Sequence, residues 1–186
     1  TRLLWQRLQA EGWPVKAVSF PDYDSPSSAL VKMYLHGDFG SDPDAVNAYA
    51  ASAFYAVDRF ASYQKDWKSF LEAGGIVLAD RYTTSNMLYQ MIKFDEPSER
   101  RAYLDWLWDF EFCKMGLPVP DCVLLLDVPL AVSEELMAQR QGKTGGCTGD
   151  IHERDRAFLA KCHQAYDELA DLYHWRRIAC AQNHSI

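Results

Sequence analysis

No apolar run in this chain approaches the roughly 20 residues that a bilayer-spanning helix needs, so no membrane partner is expected. The residues show no signal-peptide pattern either, and a cytoplasmic protein is expected. Positive charge is in deficit. Nineteen Lys and Arg against 26 Asp and Glu leave a formal net charge of −7, which argues against a nucleic-acid surface and confines any anion site to a local basic cluster. The five cysteines (Cys113, Cys122, Cys147, Cys162 and Cys180) are odd in number, contain no CxxC spacing and sit mostly in apolar runs. That pattern disfavours zinc and fits reduced, buried thiols. There is no internal repeat. What remains is 186 residues with 48% hydrophobic content, enough for a single α/β domain spanning 1–186 with a substantial core.

Local patterns then set an element order. Leu3, Leu4 and Leu8 form one stripe of an opening helix that Gly12 ends before Trp13-Pro14. Short apolar or β-branched runs predict strands at about 15–19, 75–79, 122–127 and 176–180. Helical patterns lie between and around them, at about 27–37, 43–73, 83–93, 97–115, 130–140 and 151–173. Alternation of this kind predicts an α/β fold with a parallel sheet flanked by helices. Gly75–Ala79 and Val123–Leu126 read as buried strands. The aromatic series Tyr103, Trp106, Trp108, Phe110 and Phe112 reads as core or dimer packing rather than a cofactor box. His152 and His163, with no paired ligand spacing, read as surface residues.

The chemistry concentrates in Ala79-Asp80-Arg81-Tyr82-Thr83-Thr84-Ser85-Asn86-Met87-Leu88-Tyr89-Gln90. Polar side chains just past the carboxyl end of a buried strand face the crevice where open α/β sheets bind ligands. There Arg81 can fork onto a phosphate, and Asp80 can hold a magnesium ion directly or through water. The alternative is that Asp80 caps the next helix and Arg81 pairs with a surface carboxylate. Two further segments carry the same theme: strand, Pro-punctuated turn and helix from Val15 to Gly37, containing Phe20-Pro21-Asp22-Tyr23, and Phe54-Tyr55-Ala56-Val57-Asp58-Arg59 within a long helical pattern.

In order and spacing these three segments, with Leu126-Asp127-Val128-Pro129 and a Gly-rich stretch, resemble the thymidylate kinase family of the P-loop nucleoside monophosphate kinase superfamily. The resemblance covers nearly the whole chain. It implies a three-layer α/β/α fold, transfer of the ATP γ-phosphoryl group to dTMP to give dTDP, Mg2+ as cofactor and a homodimer. It further implies that Arg81 binds the monophosphate of dTMP, that Arg59 is a second arginine reaching the acceptor, and that Asp80 stands on the magnesium side. Tyr55 would stack on thymine, Asn86 would contact the base, Tyr89 would face the sugar, and Phe20 and Pro21 would form the turn beside the phosphate. Many relatives carry arginine just after Phe-Pro, where this chain has Asp22 and Tyr23, so either Asp22 points away or the acceptor site leans more on Arg59 and Arg81. For Arg59 the alternative is a helical ion pair with neighbours of Asp58 or with Asp66; for Tyr55 it is a plain core tyrosine, with Phe54 adjacent.

Gln141–Asp150 holds four glycines in ten residues and predicts a flexible loop. The resemblance makes it a lid, at about 140–150, with Arg140 and Lys143 reaching the ATP phosphates. Asp150 and Glu153 could orient a lid base or magnesium, but the segment reads first as an acidic helix start. The superfamily's GxxxxGK(S/T) loop is not found in these residues. Gly142-Lys143-Thr144 follows a helical pattern and lacks the earlier glycine. The first strand and P-loop are therefore expected to be absent from this chain, truncated before Thr1. Without such a loop, ATP turnover is expected to collapse. Two other readings stay open: a deoxynucleoside kinase, and a non-catalytic nucleotide-binding remnant.

Overall fold

The computed structural model describes residues 1–40, 42–129, 132, 133, 135, 136, 139 and 156–181. The chain comprises two compact units, Thr1–Pro118 and Val119–Ile186.

In the first unit, α1 (Arg2–Ala10) leads to β1 (Val15–Ser19). The bonds Trp13 N–H to Leu8 O and Gly12 N–H to Gln9 O, both 3.0 Å, form a Schellman end that needs the positive φ of 86° at Gly12. A 3-10 turn (Pro26–Ser28) then opens α2 (Ala29–His36). The helix predicted from about 43 begins later, because Asp42 caps a short turn at Pro43–Ala45 and Asn47 accepts from Ala50 N–H at 2.9 Å. That helix, α3 (Ala48–Ser62), runs through a π-helical turn (Tyr63–Trp67) into α4 (Lys68–Glu72). Gly74, with φ 86°, repeats the Schellman end and delivers the chain into β2 (Ile76–Asp80). Next come α5 (Thr83–Met91), α6 (Pro97–Trp108) and a second π-helical turn (Asp109–Lys114).

β1 and β2 pair in parallel, from Val15 opposite Ile76 to Ser19 opposite Asp80. Helices α2, α5 and α6 pack around α3, burying Val31, Tyr34, Ala51, Ala56, Met87, Met91, Tyr103, Leu104 and Leu107. A second cluster joins Phe20, Tyr63, Trp67, Tyr82 and Leu117, with Val18 and Val77 packed against it from the two strands. In the second unit, β3 (Leu124–Asp127) pairs in parallel with β4 (Arg176–Ala179), and α7 (Arg156–Leu172) precedes β4. Cys162, Ala165, Leu169 and Ala170 form the buried stripe of α7.

The parallel α/β class and all four strands match the expected positions. The predicted strand burial does not. Ile76–Leu78 are half-buried, Ala79 and Asp80 are exposed, and Leu124 and Leu126 are exposed at 45% and 60%. Among the described residues each strand has one partner. The thiols differ too: Cys113 and Cys122 are exposed, while burial pushes the Cys162 thiol up to about 12.

Lys93, just past α5, ties the helices together. Its ammonium donates to Val46 O (2.8 Å) and Tyr34 Oη (3.2 Å), and it lies 5.5 Å from the Tyr34 ring centre. Burial lowers its pKa to about 8, against the opposing pull of Asp44 and Asp42. The charged form is therefore disfavoured by folding, and between about pH 8 and the ordinary lysine value the unfolded chain holds more protons. Stability of the wild type relative to Lys93→Met should increase from pH 7 to pH 9.5. Paired thermal melts at the two pH values measure this, and a constant difference would contradict it.

Candidate functional site

The site is assembled where β1 and β2 end together. Ser19 lies opposite Asp80, and Phe20 N–H extends the ladder to Asp80 O at 3.1 Å. The Asp80 carboxylate is exposed and makes no hydrogen bond or ion pair with a described residue. Helix α5 has no side-chain cap. The capping alternative for Asp80 is thus removed.

Arg81 follows with φ 65°. That left-handed conformation is unfavourable for a residue with a Cβ by roughly 1–2 kcal/mol. It turns the chain sharply between β2 and α5 and leaves the Arg81 side chain exposed, its guanidinium carbon 5.6 Å from the Tyr89 ring centre. Non-glycine residues held in such a conformation concentrate at binding and catalytic sites. Tyr82 turns the other way, into the core. Its hydroxyl donates to Pro118 O (3.1 Å), and its ring packs on Phe20 and Trp67 with centroids 6.0 and 6.4 Å away. Burial raises the Tyr82 pKa, with Arg59 opposing and Glu111 adding to the rise. Phe20 is buried and Pro21 half-buried, joined by a cis peptide.

Arg59 is buried to 1% exposure. Its Nε donates to Glu111 Oε2 at 2.8 Å and its Nη2 to Oε1 at 2.5 Å, while the Tyr82 ring centre stands 6.0 Å from its guanidinium carbon. Neither alternative partner holds it. Asp66 pairs with Lys16, and Asp58 accepts from Asp22 N–H (2.8 Å) and Ser27 Oγ (2.6 Å), anchoring the Pro-rich turn onto α3.

Tyr55, one helical turn before Arg59, is half-buried and meets Tyr34 edge-on at 6.4 Å. Its neighbour Phe54 packs on Phe39 at 5.7 Å. Asn86 is buried, its Nδ2 donating to Ser52 O at 3.3 Å and its backbone carbonyl accepting from the Tyr103 hydroxyl, which also bonds Ser52 Oγ at 2.7 Å. Tyr103 thus serves in the core, as the aromatic series predicted. The structure therefore joins Phe20 with Tyr82 and Arg81 with Tyr89, and places Asn86 in the packing between α3 and α5. Arg140, Lys143, Asp150, His152 and Glu153 lie outside the described residues.

Glu111 carries no motif signal, and Asp58 lies within the Phe54–Arg59 segment but draws no role there. Both are acidic residues in segments that read as amphipathic helix, where a carboxylate ordinarily faces water. A magnesium ion suits the exposed Asp80, because Mg2+ commonly takes one or two protein carboxylates and completes its shell with phosphate oxygens and water. No group of three or more metal-ligating side chains occurs among the described residues.

Comparison with known proteins identifies the lineage. The family model described as "Thymidylate kinase" matches residues 1–185. The chain is 30% identical over 164 residues to the thymidylate kinase of Mycobacterium tuberculosis H37Rv, covering 88% of this chain and 75% of that one. It is 27% identical over 186 residues to a probable thymidylate kinase of Thermococcus gammatolerans, covering 98% and 81%. Among solved structures, a thymidylate kinase from Candida albicans superposes with a TM-score of 0.65 at 22% identity, covering 96% of this chain and 77% of that one. That likeness bears on the fold, whereas the family model and the mycobacterial relative bear on descent: the chain belongs to the thymidylate kinase family, whose members are nucleoside monophosphate kinases.

Proposed function

We propose that the ends of β1 and β2 with the adjoining helices bind dTMP, and that the chain's chemistry is transfer of the ATP γ-phosphoryl group to that acceptor. The observation that carries this reading is Arg81. A guanidinium is placed at the strand's end by a backbone conformation that a bare turn would assign to glycine. Phosphoryl transfer needs positioning and neutralisation of charge more than covalent chemistry from the protein. Arg81 supplies a fork for the acceptor phosphate, with its cation steadied on Tyr89. Arg59 supplies a second guanidinium from α3. Tyr55 offers a ring face for thymine, Phe20 and Pro21 wall the phosphate turn, and Tyr89 limits space at the sugar. Asn86 addresses the base through what its amide has left after Ser52.

Asp80 would hold Mg2+, which when bound neutralises phosphate charge between donor and acceptor. The donor side rests on Arg140 and Lys143, assigned by sequence. We also propose a cytoplasmic homodimer. Leu30 and Met33 on α2 and Val57 and Phe60 on α3 are exposed, each pair three residues apart on packed helices, an apolar face suited to a second copy. No helix among the described residues is long and apolar enough to cross a membrane.

Calorimetric titration tests the acceptor site. dTMP should bind at least about tenfold more tightly than thymidine, from a charge-assisted phosphate contact contributing roughly 1.5–3 kcal/mol. Equal affinities would refute the assignment. Asp80→Asn should leave that preference within about twofold, because a magnesium-side carboxylate addresses the donor phosphates. A loss as large as that caused by removing Arg81 would move Asp80 into the acceptor site.

A further inference from the structure

Tyr55 reaches the site from α3 half-buried, so its helix fixes where the ring starts but leaves the plane of the ring to its neighbours. A ring on α2 sets that plane. Tyr34, exposed by only 1%, meets Tyr55 at a centroid distance of 6.4 Å and an interplanar angle of 88°, the T-shaped arrangement that aromatic quadrupoles favour. Tyr34 is held in turn at its far end. Its hydroxyl oxygen accepts from Lys93 Nζ at 3.2 Å, and the same ammonium donates to Val46 O at 2.8 Å. Val46 stands just before Asn47, the cap of α3, and Lys93 stands four residues after Tyr89, just past the end of α5. The contacts thus leave α3 at Tyr55, cross α2 at Tyr34 and return to the start of α3 through a lysine on the α5 side.

Packing alone needs none of this, since an apolar side chain of similar size fills the same space without desolvating an ammonium. Placement is what the polar tie adds. Resting on the acceptor reading above, we infer that Tyr34 is a positioning residue for the base: it sets the plane in which Tyr55 offers its ring, and through Lys93 it fixes that plane relative to α5, which carries Tyr89. Stacking requires the ring face to lie parallel to the base, so a ring free to tilt loses much of the gain. Thymidine and dTMP carry the same base, so both should register the loss alike.

The experiment is a double-mutant cycle read in ligand affinity, by calorimetry of thymidine and dTMP on the whole chain as wild type, Tyr34→Leu, Tyr55→Leu and the two combined. Tyr55→Leu should weaken both ligands about tenfold, the scale of one lost base–aromatic stack. Tyr34→Leu should weaken both about fivefold, leaving the thymidine-to-dTMP ratio unchanged, and should cost less than about twofold once residue 55 is already leucine. A merely structural role would lower the folded fraction by the same factor in either background. Tyr34→Phe keeps the ring and cuts only the bond from Lys93; it should weaken both ligands about threefold, and it decides through the same cycle if Tyr34→Leu does not fold. Wild-type affinity in a folded Tyr34 variant, an equal loss with and without the Tyr55 ring, or unequal losses for the two ligands would overturn the proposal. If Tyr55→Leu by itself binds thymidine like wild type, it is the acceptor reading that fails, and this inference falls with it.

Discussion

Replacing Arg81 by alanine or by glycine is expected to reduce the preference for dTMP over thymidine by about 10- to 150-fold, the equivalent of roughly 1.5–3 kcal/mol for a charge-assisted contact. Both substitutions remove the same guanidinium and the same contact with Tyr89, so their effects on the ligand should agree. Their effects on stability should not. At φ 65° an alanine still carries the Cβ that makes the left-handed region unfavourable, whereas glycine is at ease there. Arg81→Gly should therefore be more stable than Arg81→Ala by about 1 kcal/mol, the reverse of the order in an exposed helix. Denaturant titrations of the two variants measure the difference. An alanine variant at least as stable as the glycine variant would mean that the backbone does not hold this conformation in solution, and an undiminished dTMP preference in both would remove Arg81 from the acceptor site.

The second large effect concerns the buried pair beneath that turn. Arg59→Ala leaves Glu111 as an uncompensated charge with almost no access to water, which should lower stability by about 3–5 kcal/mol. In a unit of this size that is a fall in Tm on the order of 10 °C or more. The double variant Arg59→Met with Glu111→Leu should recover most of the loss, because neither ion is then desolvated. The remainder is the Thr83 hydroxyl, left without its acceptor in the core, and adding Thr83→Val should reduce it. Strong non-additivity is therefore the expected signature. If the two single losses simply summed, the residues would not be coupled. The recovered double variant should still lack any contribution of Arg59 to dTMP binding, so stability and ligand binding separate within one site.

Much of this molecule is legible in its amino-acid sequence. The strand at 15–19, the strand at about 75–79 and the helix after it follow from short apolar runs bounded by glycine, proline and polar residues, patterns governed by local backbone physics. The Asp80-Arg81-Tyr82 segment stands out in the sequence because polar residues at a strand's carboxyl end face a crevice in α/β folds. Local patterns also predicted one unbroken helix at 97–115. They had no means of registering that its last turn widens, since a π turn is an adjustment to packing rather than a composition signal.

By itself, then, the amino-acid sequence determined the α/β element order, the segments that carry charge and aromatic rings, and the family to which they point, because these depend on residues near one another in the chain. Tertiary structure alone decided what those charges face. Arg59 and Glu111 are 52 residues apart and Thr83 is 28 from Glu111, so the carboxylate that orients the arginine is chosen by the packing of α3, α5 and the turn after α6. The φ of 65° at Arg81 and the exposure of Leu124 and Leu126 were likewise decided there. Backbone hand at a single residue and burial of a sheet face are set by which neighbours arrive, and no spacing of residue types encodes them.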